Sequence, residues 1–380
     1  MLPGANRRVV IVGGGISGAM CARTLRRLAP DIEVVVLERN PTYVSGPSHV
    51  DYVVGLEERA RMTVGFEGLV RAGVRIIRSA VTAIRPAENR VVTPQGIVDY
   101  TILVVATGMV PADNEIAGLL ENAGMNAHAW TWPGALALAR AVQSFEGGTF
   151  VLSVPPPPSK CPPGPYEVVS LIDEFWKRKG VRAEIVVLDA NDRPQPPTMA
   201  DLWRGVFSER RIAYRPSFKV VEFDPGRRTL VSDRGERQQY TLASVIPPAK
   251  APLFIEESGL DYPFIDADPT TFRSRRHQNI YAVGDVTRTP YPKTAYVGFL
   301  GGRNAAYHIA RTLGVDRGEP DPVLNQCWPF VSSKEAMFVE VAWTKDGRPI
   351  PERTRVLGAR PEHVSHRKAW EYGILRAAYG

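Results

Sequence analysis

Apolar residues fall in short blocks along this chain, and the blocks alternate between the two periods of regular structure. Arg8–Val12 (RVVIV) and Glu33–Leu37 (EVVVL) are continuous apolar runs of strand length, as strands covered on both faces require. Between them Ala19, Cys21, Ala22, Leu25 and Leu28 recur at helical spacing up to Pro30, which cannot continue a helix. The same unit returns at Gly148–Ser153 and Ala183–Asp189, with Val168, Val169, Ile172, Phe175 and Trp176 marking a helix over Tyr166–Lys179. Further strands are expected within Tyr100–Gly108 and Asn279–Asp285, the second followed by a helix over Gly298–Leu313. Beyond Gly318 the rhythm changes: Val323–Trp328, Met337–Trp343, a hairpin turn at Lys345-Asp346-Gly347 and an aromatic stretch, Trp370–Tyr379. The pattern predicts an α/β chain with two strand–helix–strand units. Residues 1–115 and 240–317 form a discontinuous first domain, 116–239 a second, and 318–380 a small α+β unit.

The turns carry the chemistry. The first strand runs into Gly13-Gly14-Gly15-Ile16-Ser17-Gly18 and a helix, and the next strand ends on Glu38. In that context Gly13 permits a tight turn, Gly15 lets backbone approach a pyrophosphate, and Gly18 lets the helix pack closely, while Glu38 would accept ribose hydroxyls. The helix N-terminus supplies free N–H groups and a favourable dipole. Two later turns, Ala106-Thr107-Gly108 and Gly284-Asp285, each follow an apolar strand; an acid so far downstream suits FAD, capping its ribityl–pyrophosphate region, better than NAD. As a helix cap alone, Asp285 would be unremarkable. In the second unit the corresponding turn is Val154–Pro165, VPPPPSKCPPGP. Proline has no N–H to offer a phosphate and its ring blocks close approach, so this unit is Rossmann-like without the usual NAD(P)H loop.

Composition narrows the field. The 33 Gly and 33 Pro without a collagen period, 44% hydrophobic residues and only 3 Cys exclude a disordered chain, a collagen and a disulfide scaffold. No apolar run reaches the ~20 residues of a membrane helix, and Met1–Asn6 leads directly into basic residues rather than the apolar core of a signal peptide. The net charge of +7 is scattered over pairs such as Arg210 and Arg211; it suits a solvated surface, or docking to an acidic protein, better than nucleic acid. His277, His308, His363 and His366 lack ligand spacing, so no metal is expected; His363 and His366 read as solvated. Cys21 lies on the apolar face of the first helix and reads as packing. Cys161 and Cys327 are, on spacing alone, either a pair joined by the fold or two separate structural thiols.

With these motifs in hand, the chain resembles the flavoprotein subunit of flavocytochrome c sulfide dehydrogenase, and more distantly sulfide:quinone oxidoreductases and glutathione-reductase-like flavoproteins. The resemblance rests on GGGISG with Glu38, CPPGPYE (Cys161–Glu167), VIPP (Val245–Pro248), YAVGD followed by Pro292-Lys293-Thr294, LNQC (Leu324–Cys327) and the segment around Trp370. It implies two Rossmann-like dinucleotide-binding-type domains and a small C-terminal interface domain. It implies an FAD-dependent oxidoreductase that oxidises sulfide, or a related thiol, and passes electrons to a one-electron acceptor such as a c-type cytochrome. Cys161 and Cys327 then match a redox-active disulfide and Glu167 an acid beside it. Lys293 matches a cation near the flavin pyrimidine ring, and Trp370 an aromatic near the electron exit. The implied FAD contacts are Gly13, Gly15, Gly18, Glu38, Arg39, Val81, Ala106, Thr107, Gly108, Gly284, Asp285 and Lys293.

One departure from the family matters. Its members often attach FAD through a cysteine shortly after the second strand, and here Gly46 stands in that segment (Tyr43–Pro47), so FAD is expected to bind non-covalently. There is no CxxCH haem motif, so a cytochrome would be a separate chain. Quinone as acceptor, or NAD(P)H as donor, are the alternatives. Against quinone, Trp370–Tyr379 is short and carries Glu371 and Arg376; against NAD(P)H stands the proline turn. The family implies a periplasmic location, whereas the chain start, read as it stands, implies a cytoplasmic one.

Overall fold

A computed structural model describes residues 7–320, 322–344 and 346–380. The Met1–Asn6 lead-in and Lys345 of the expected hairpin turn lie outside the described residues. The remainder of that turn is closed by Thr344 N–H on Arg348 O (2.8 Å).

The first unit begins with β1 (Arg8–Val12), α1 (Ile16–Leu28) and β2 (Glu33–Leu37), followed by a short helix α2 (His49–Val53), β3 (Arg75–Ile77) and β4 (Ile102–Val105). The chain then builds the second unit from α3 (Trp132–Ser144), β5 (Gly148–Val154), α4 (Gly164–Lys179), β6 (Ala183–Asp189), β7 (Ala213–Arg215) and β8 (Leu242–Val245). It returns to the first unit with β9 (Ile280–Ala282) and α5 (Ala295–Thr312). It closes with β10 (Leu324–Cys327), β11 (Phe330–Ser332), β12 (Glu335–Ala342), β13 (Arg355–Arg360) and α6 (Glu362–Tyr379).

The two central sheets are parallel throughout, ordered β9-β4-β1-β2-β3 and β7-β6-β5-β8. Their inner strands are buried on both faces, which is why they read as unbroken apolar runs, whereas the edge strands β3 and β7 are partly exposed. The C-terminal strands form an antiparallel sheet with β12 central, flanked by β10 and β11 and also paired with β13. The expected α/β architecture is therefore observed. One boundary shifts: the division expected at 239/240 cuts ahead of β8, whose residues 242–245 pair in parallel with Phe150–Ser153 and complete the second sheet. The signal for β8 is a four-residue run, too short to be allotted to either unit by periodicity.

Helix α1 packs beneath β1 and against α5, so the glycine turn, the Gly284-Asp285 turn and the start of α5 share one end of the first sheet. That is the C-terminal edge of parallel strands, where ligands bind in open α/β sheets. Cys21 is fully buried in this packing, as expected. The aromatic C-terminal stretch is the last part of α6, which lies over α1 and β12 rather than projecting outward.

Candidate functional site

At the first glycine turn, Gly13 has φ +102°, and a Cβ there would stand 2.5 Å from Ala106 O; a Cβ on Gly18 would stand 2.0 Å from Gly13 O. Neither position admits a side chain. Gly15 is different: a Cβ there would meet nothing nearer than the Tyr43 ring at 4.0 Å, so the space in front of it is open. Gly15 also begins α1 with no side-chain cap and no acid in the first turn, leaving the helix N–H groups free for a phosphate. Glu38 accepts from Gly14 N–H (2.8 Å) and from Asn40 N–H (2.7 Å), which fixes its carboxylate at the end of β2. Ala106, Thr107 and Gly108 follow β4, with Ala106 N–H on Val12 O (2.8 Å), and Gly284-Asp285 follows β9. Val81 is half-buried against the apolar layer on the other face of this sheet, and Arg39 is exposed just past Glu38. These residues fit FAD: two close-packed glycines, one open one, an uncapped helix and an acid at the next strand end.

The proline turn of the second unit does not form a second cradle. It crosses to the first unit, where Cys161 N–H donates to Lys293 O (2.8 Å) and Lys160 bridges Lys293. Cys161 adopts a left-handed φ of +52°, a costly conformation for a residue with a side chain and one that clusters at functional sites. Cys327 ends β10, within the electrostatic reach of Cys161, Glu167 and Arg367. All three cysteines are free thiols. Lys293 is buried, its ammonium donates to Thr287 O, and it lies 4.7 Å from the centre of the Phe264 ring. Burial lowers its pKa to about 8, against the pull of Asp285. Trp370 leans on Trp328 (5.8 Å between ring centres), the residue after Cys327, and on Tyr296 (6.0 Å).

Sequence reasoning missed the largest feature of the site, a buried ionic cluster around Arg367. One of its terminal nitrogens donates to Glu167 (3.0 Å) and to Trp328 O (3.0 Å); the other donates to Pro47 O (2.9 Å) and faces Asp51 at 3.5 Å. This one guanidinium therefore ties together the helix behind Cys161, the chain leaving Cys327 and the segment of Gly46. Lys368 donates to Asp51 (2.5 Å) and Glu57 (2.7 Å), and Tyr372 to Glu57 (2.9 Å), carrying the cluster outward to the surface. Glu371 accepts from Ser45 (2.6 Å) and Ser48, on either side of Gly46.

Glu371, one of the two charges expected on the C-terminal surface, is 1% exposed and points inward, so it says nothing about that surface. His363 is likewise not solvated: it is buried, with Nδ1 2.8 Å from Ala336 O, whereas His366 is exposed. The one local signal was the Arg367/Glu371 spacing of i, i+4, which on any helix reads as a surface pair.

Four carboxylates in this cluster (Asp51, Glu57, Glu167, Glu371) face two cations, so full ionisation would bury net negative charge. Two of the four, Glu167 and Glu371, are pushed toward their protonated form. Burial raises the Glu167 pKa to about 7, with Asp51 adding to the rise and Arg367 and Phe330 N–H opposing it. Glu371 is raised for the same reasons. Burial also drives the Cys161 thiol up to about 12 and Cys327 well above its usual value; Arg367 draws both back toward the thiolate. Two half-buried thiols therefore sit beside an acid that changes charge near neutrality and a cation that favours their ionised form.

Known sequences and folds resemble this chain. Residues 136–247, which include the proline turn and Cys161, match the family described as sulfide dehydrogenase (flavocytochrome c) flavoprotein chain, central; residues 7–141 match the pyridine nucleotide-disulphide oxidoreductases. The mitochondrial sulfide:quinone oxidoreductase of Mus musculus is 23% identical over 308 residues, covering 76% of this chain and 67% of the relative. A sulfide dehydrogenase (flavocytochrome c) flavoprotein chain sequence from Chlorobaculum thiosulfatiphilum is 46% identical over 41 residues, 11% of this chain and 85% of that sequence. The sulfide:quinone oxidoreductase structure from Aquifex aeolicus superposes with a TM-score of 0.86 at 19% identity, covering 98% of this chain and 91% of that one. Fold and site thus define an FAD oxidoreductase of the disulfide-reductase type. Within that class, the chain is similar to sulfide dehydrogenase flavoprotein chains through its central segment and to sulfide:quinone oxidoreductases over three quarters of its length.

Proposed function

We propose that this protein oxidises sulfide through a Cys161–Cys327 redox pair, with non-covalently bound FAD and a c-type cytochrome as one-electron acceptor. The observation that carries this is the proline turn, which spends the second dinucleotide loop on delivering Cys161 to Lys293 (2.8 Å). In the oxidised state hydrosulfide attacks one sulfur of the disulfide; a persulfide forms on that cysteine and the other leaves as thiolate. When the disulfide re-forms, sulfur departs in its zero-valent state, and the balance is two electrons and one proton per hydrosulfide. Bound FAD would take the electron pair and release it one electron at a time. Glu167 is the group for the proton: with a pKa of about 7 it accepts from a half-buried thiol or persulfide and releases the proton again. Arg367 favours the leaving thiolate, and Lys293 puts a buried cation beside the place where negative charge gathers on reduction. Non-covalent binding is supported by Gly46, which offers no thiol.

The cytochrome reading is favoured by the flavocytochrome c family match across the Cys161 turn. In this proposal the compartment is the periplasm. Quinone is the second reading, favoured by the likeness to the Aquifex aeolicus protein. Among the described residues, no helix is long and apolar enough to cross a membrane. Anaerobic addition of sulfide should bleach the flavin absorbance within seconds, NADH should not, and a c-type cytochrome should restore it faster than a short-chain quinone. Bleaching by NADH but not by sulfide would overturn the proposal.

Glu167→Gln should slow bleaching by about a hundredfold at pH 8. Sulfide's own ionisation is common to both proteins, so the ratio of wild-type to variant rate isolates Glu167. Since its carboxylate is the proton acceptor, that ratio should climb as pH rises through about 7. A ratio that is flat with pH would remove Glu167 from proton transfer.

A further inference from the structure

Lys160, next to Cys161, reaches over the Gly46 turn: a Cβ built on Gly46 would lie 3.4 Å from its Nζ. Its backbone is anchored by Trp130 Nε1, which donates to Lys160 O (2.7 Å). The side chain is half-buried, and among the described residues no carboxylate lies within ion-pair distance of its ammonium. A half-buried ammonium with no carboxylate beside it is free to receive an anion.

Two buried histidines share its field, His49 at 4% exposed and His128 at 7%. His49 Nδ1 lies 2.9 Å from Ala129 O. A carbonyl can only accept, so Nδ1 carries the proton and Nε2 is a bare acceptor; that Nε2 is buried and has no partner. His128 is the opposite tautomer, because its Nδ1 accepts from Trp130 N–H (3.2 Å), which leaves the proton on Nε2. His49 is fixed to the same turn by its own N–H on Gly46 O (3.1 Å).

We propose that Lys160, His128 and His49 form a loading subsite for a small sulfur monoanion that still carries one hydrogen, on the approach to Cys161. The ammonium and the His128 N–H hold the charge, and the bare His49 nitrogen takes the S–H hydrogen. Hydrosulfide has that pattern, and its choice as occupant rests on the function proposed above; the anion site itself does not.

The test uses the FAD-loaded protein after thiol reduction and compares carboxymethylation of Cys161 by iodoacetate, an anion, with alkylation by neutral iodoacetamide, read by peptide mass spectrometry. The iodoacetate-to-iodoacetamide rate ratio should fall about tenfold in Lys160→Ala, as expected for losing one partly screened charge, and should be retained in Lys160→Arg. His49→Leu should leave that ratio in place, since iodoacetate has no hydrogen to give, yet raise KM for sulfide about tenfold, more than it lowers kcat. An unchanged ratio in Lys160→Ala overturns the subsite, and so does an unchanged KM in His49→Leu when sulfide is turned over. A fallen ratio in a protein whose flavin sulfide does not bleach would keep the anion subsite and overturn the sulfide reading.

Discussion

With serine at Cys161 or at Cys327, the bound flavin should stay oxidised when sulfide is added, with the bleaching rate down by about four orders of magnitude or more. The size follows from covalent catalysis: without a disulfide there is no electrophilic sulfur for hydrosulfide to attack, and the remaining thiol cannot release a pair of electrons by forming one. Serine is close to cysteine in size and both side chains are only partly buried, so the fold and FAD binding should persist. Stopped-flow absorbance checks the rate, and the intact flavin spectrum with added dithionite checks loading. If either variant bleaches at the wild-type rate, the redox pair is not on the path.

Arg367→Leu should have the largest effect on stability, a loss of about 3–5 kcal/mol, because it removes the one cation that Glu167, Asp51 and Glu371 share in the interior. The loss should depend on pH with a definite sign. Glu167 in the folded protein has a pKa of about 7, above its ordinary carboxylate value, so the folded state holds more protons than the unfolded chain in the window between them, and stability falls as pH rises through it. Removing Arg367 raises these carboxylates further. The deficit should therefore be greater at pH 8 than at pH 5.5, where the carboxyl groups can be neutral. Thermal midpoints of variant and wild type at the two pH values measure this. A deficit that is equal at both, or greater in acid, would mean the carboxylates do not depend on Arg367 for their charge. Arg367→Lys should fall between the two, since one ammonium cannot reach Glu167, Trp328 O and Pro47 O together.

The two parallel sheets could be read from the chain because strands buried on both faces are written as unbroken apolar runs. Ala183–Asp189 and Arg8–Val12 have the expected ends, while Tyr100–Gly108 shrank to Ile102–Val105 because a turn that frees backbone for a ligand cannot also pair it. The glycine turn was equally legible: Gly13 and Gly18 mark the positions that tolerate no side chain, and Gly15 the one left open in front. The prolines of Val154–Pro165 announced that the second loop does not hold a phosphate, though not where it goes.

The ionic cluster was not legible. Asp51, Glu57, Glu167, Arg367 and Lys368 lie on separate segments, and a charged residue on a helix carries no local mark of facing inward. His363 and Glu371 were misread for that reason. Local spacing by itself determined the main elements and the glycine turn, since each depends on neighbours in the chain; the two candidate cysteines were singled out only by the family resemblance. Only the tertiary structure decided that α6 folds back to place one guanidinium between Cys161, Cys327 and the Gly46 turn. The physical reason is that burial is a property of the whole packing, and burial, not local spacing, shifts the charge state of an acid or a thiol.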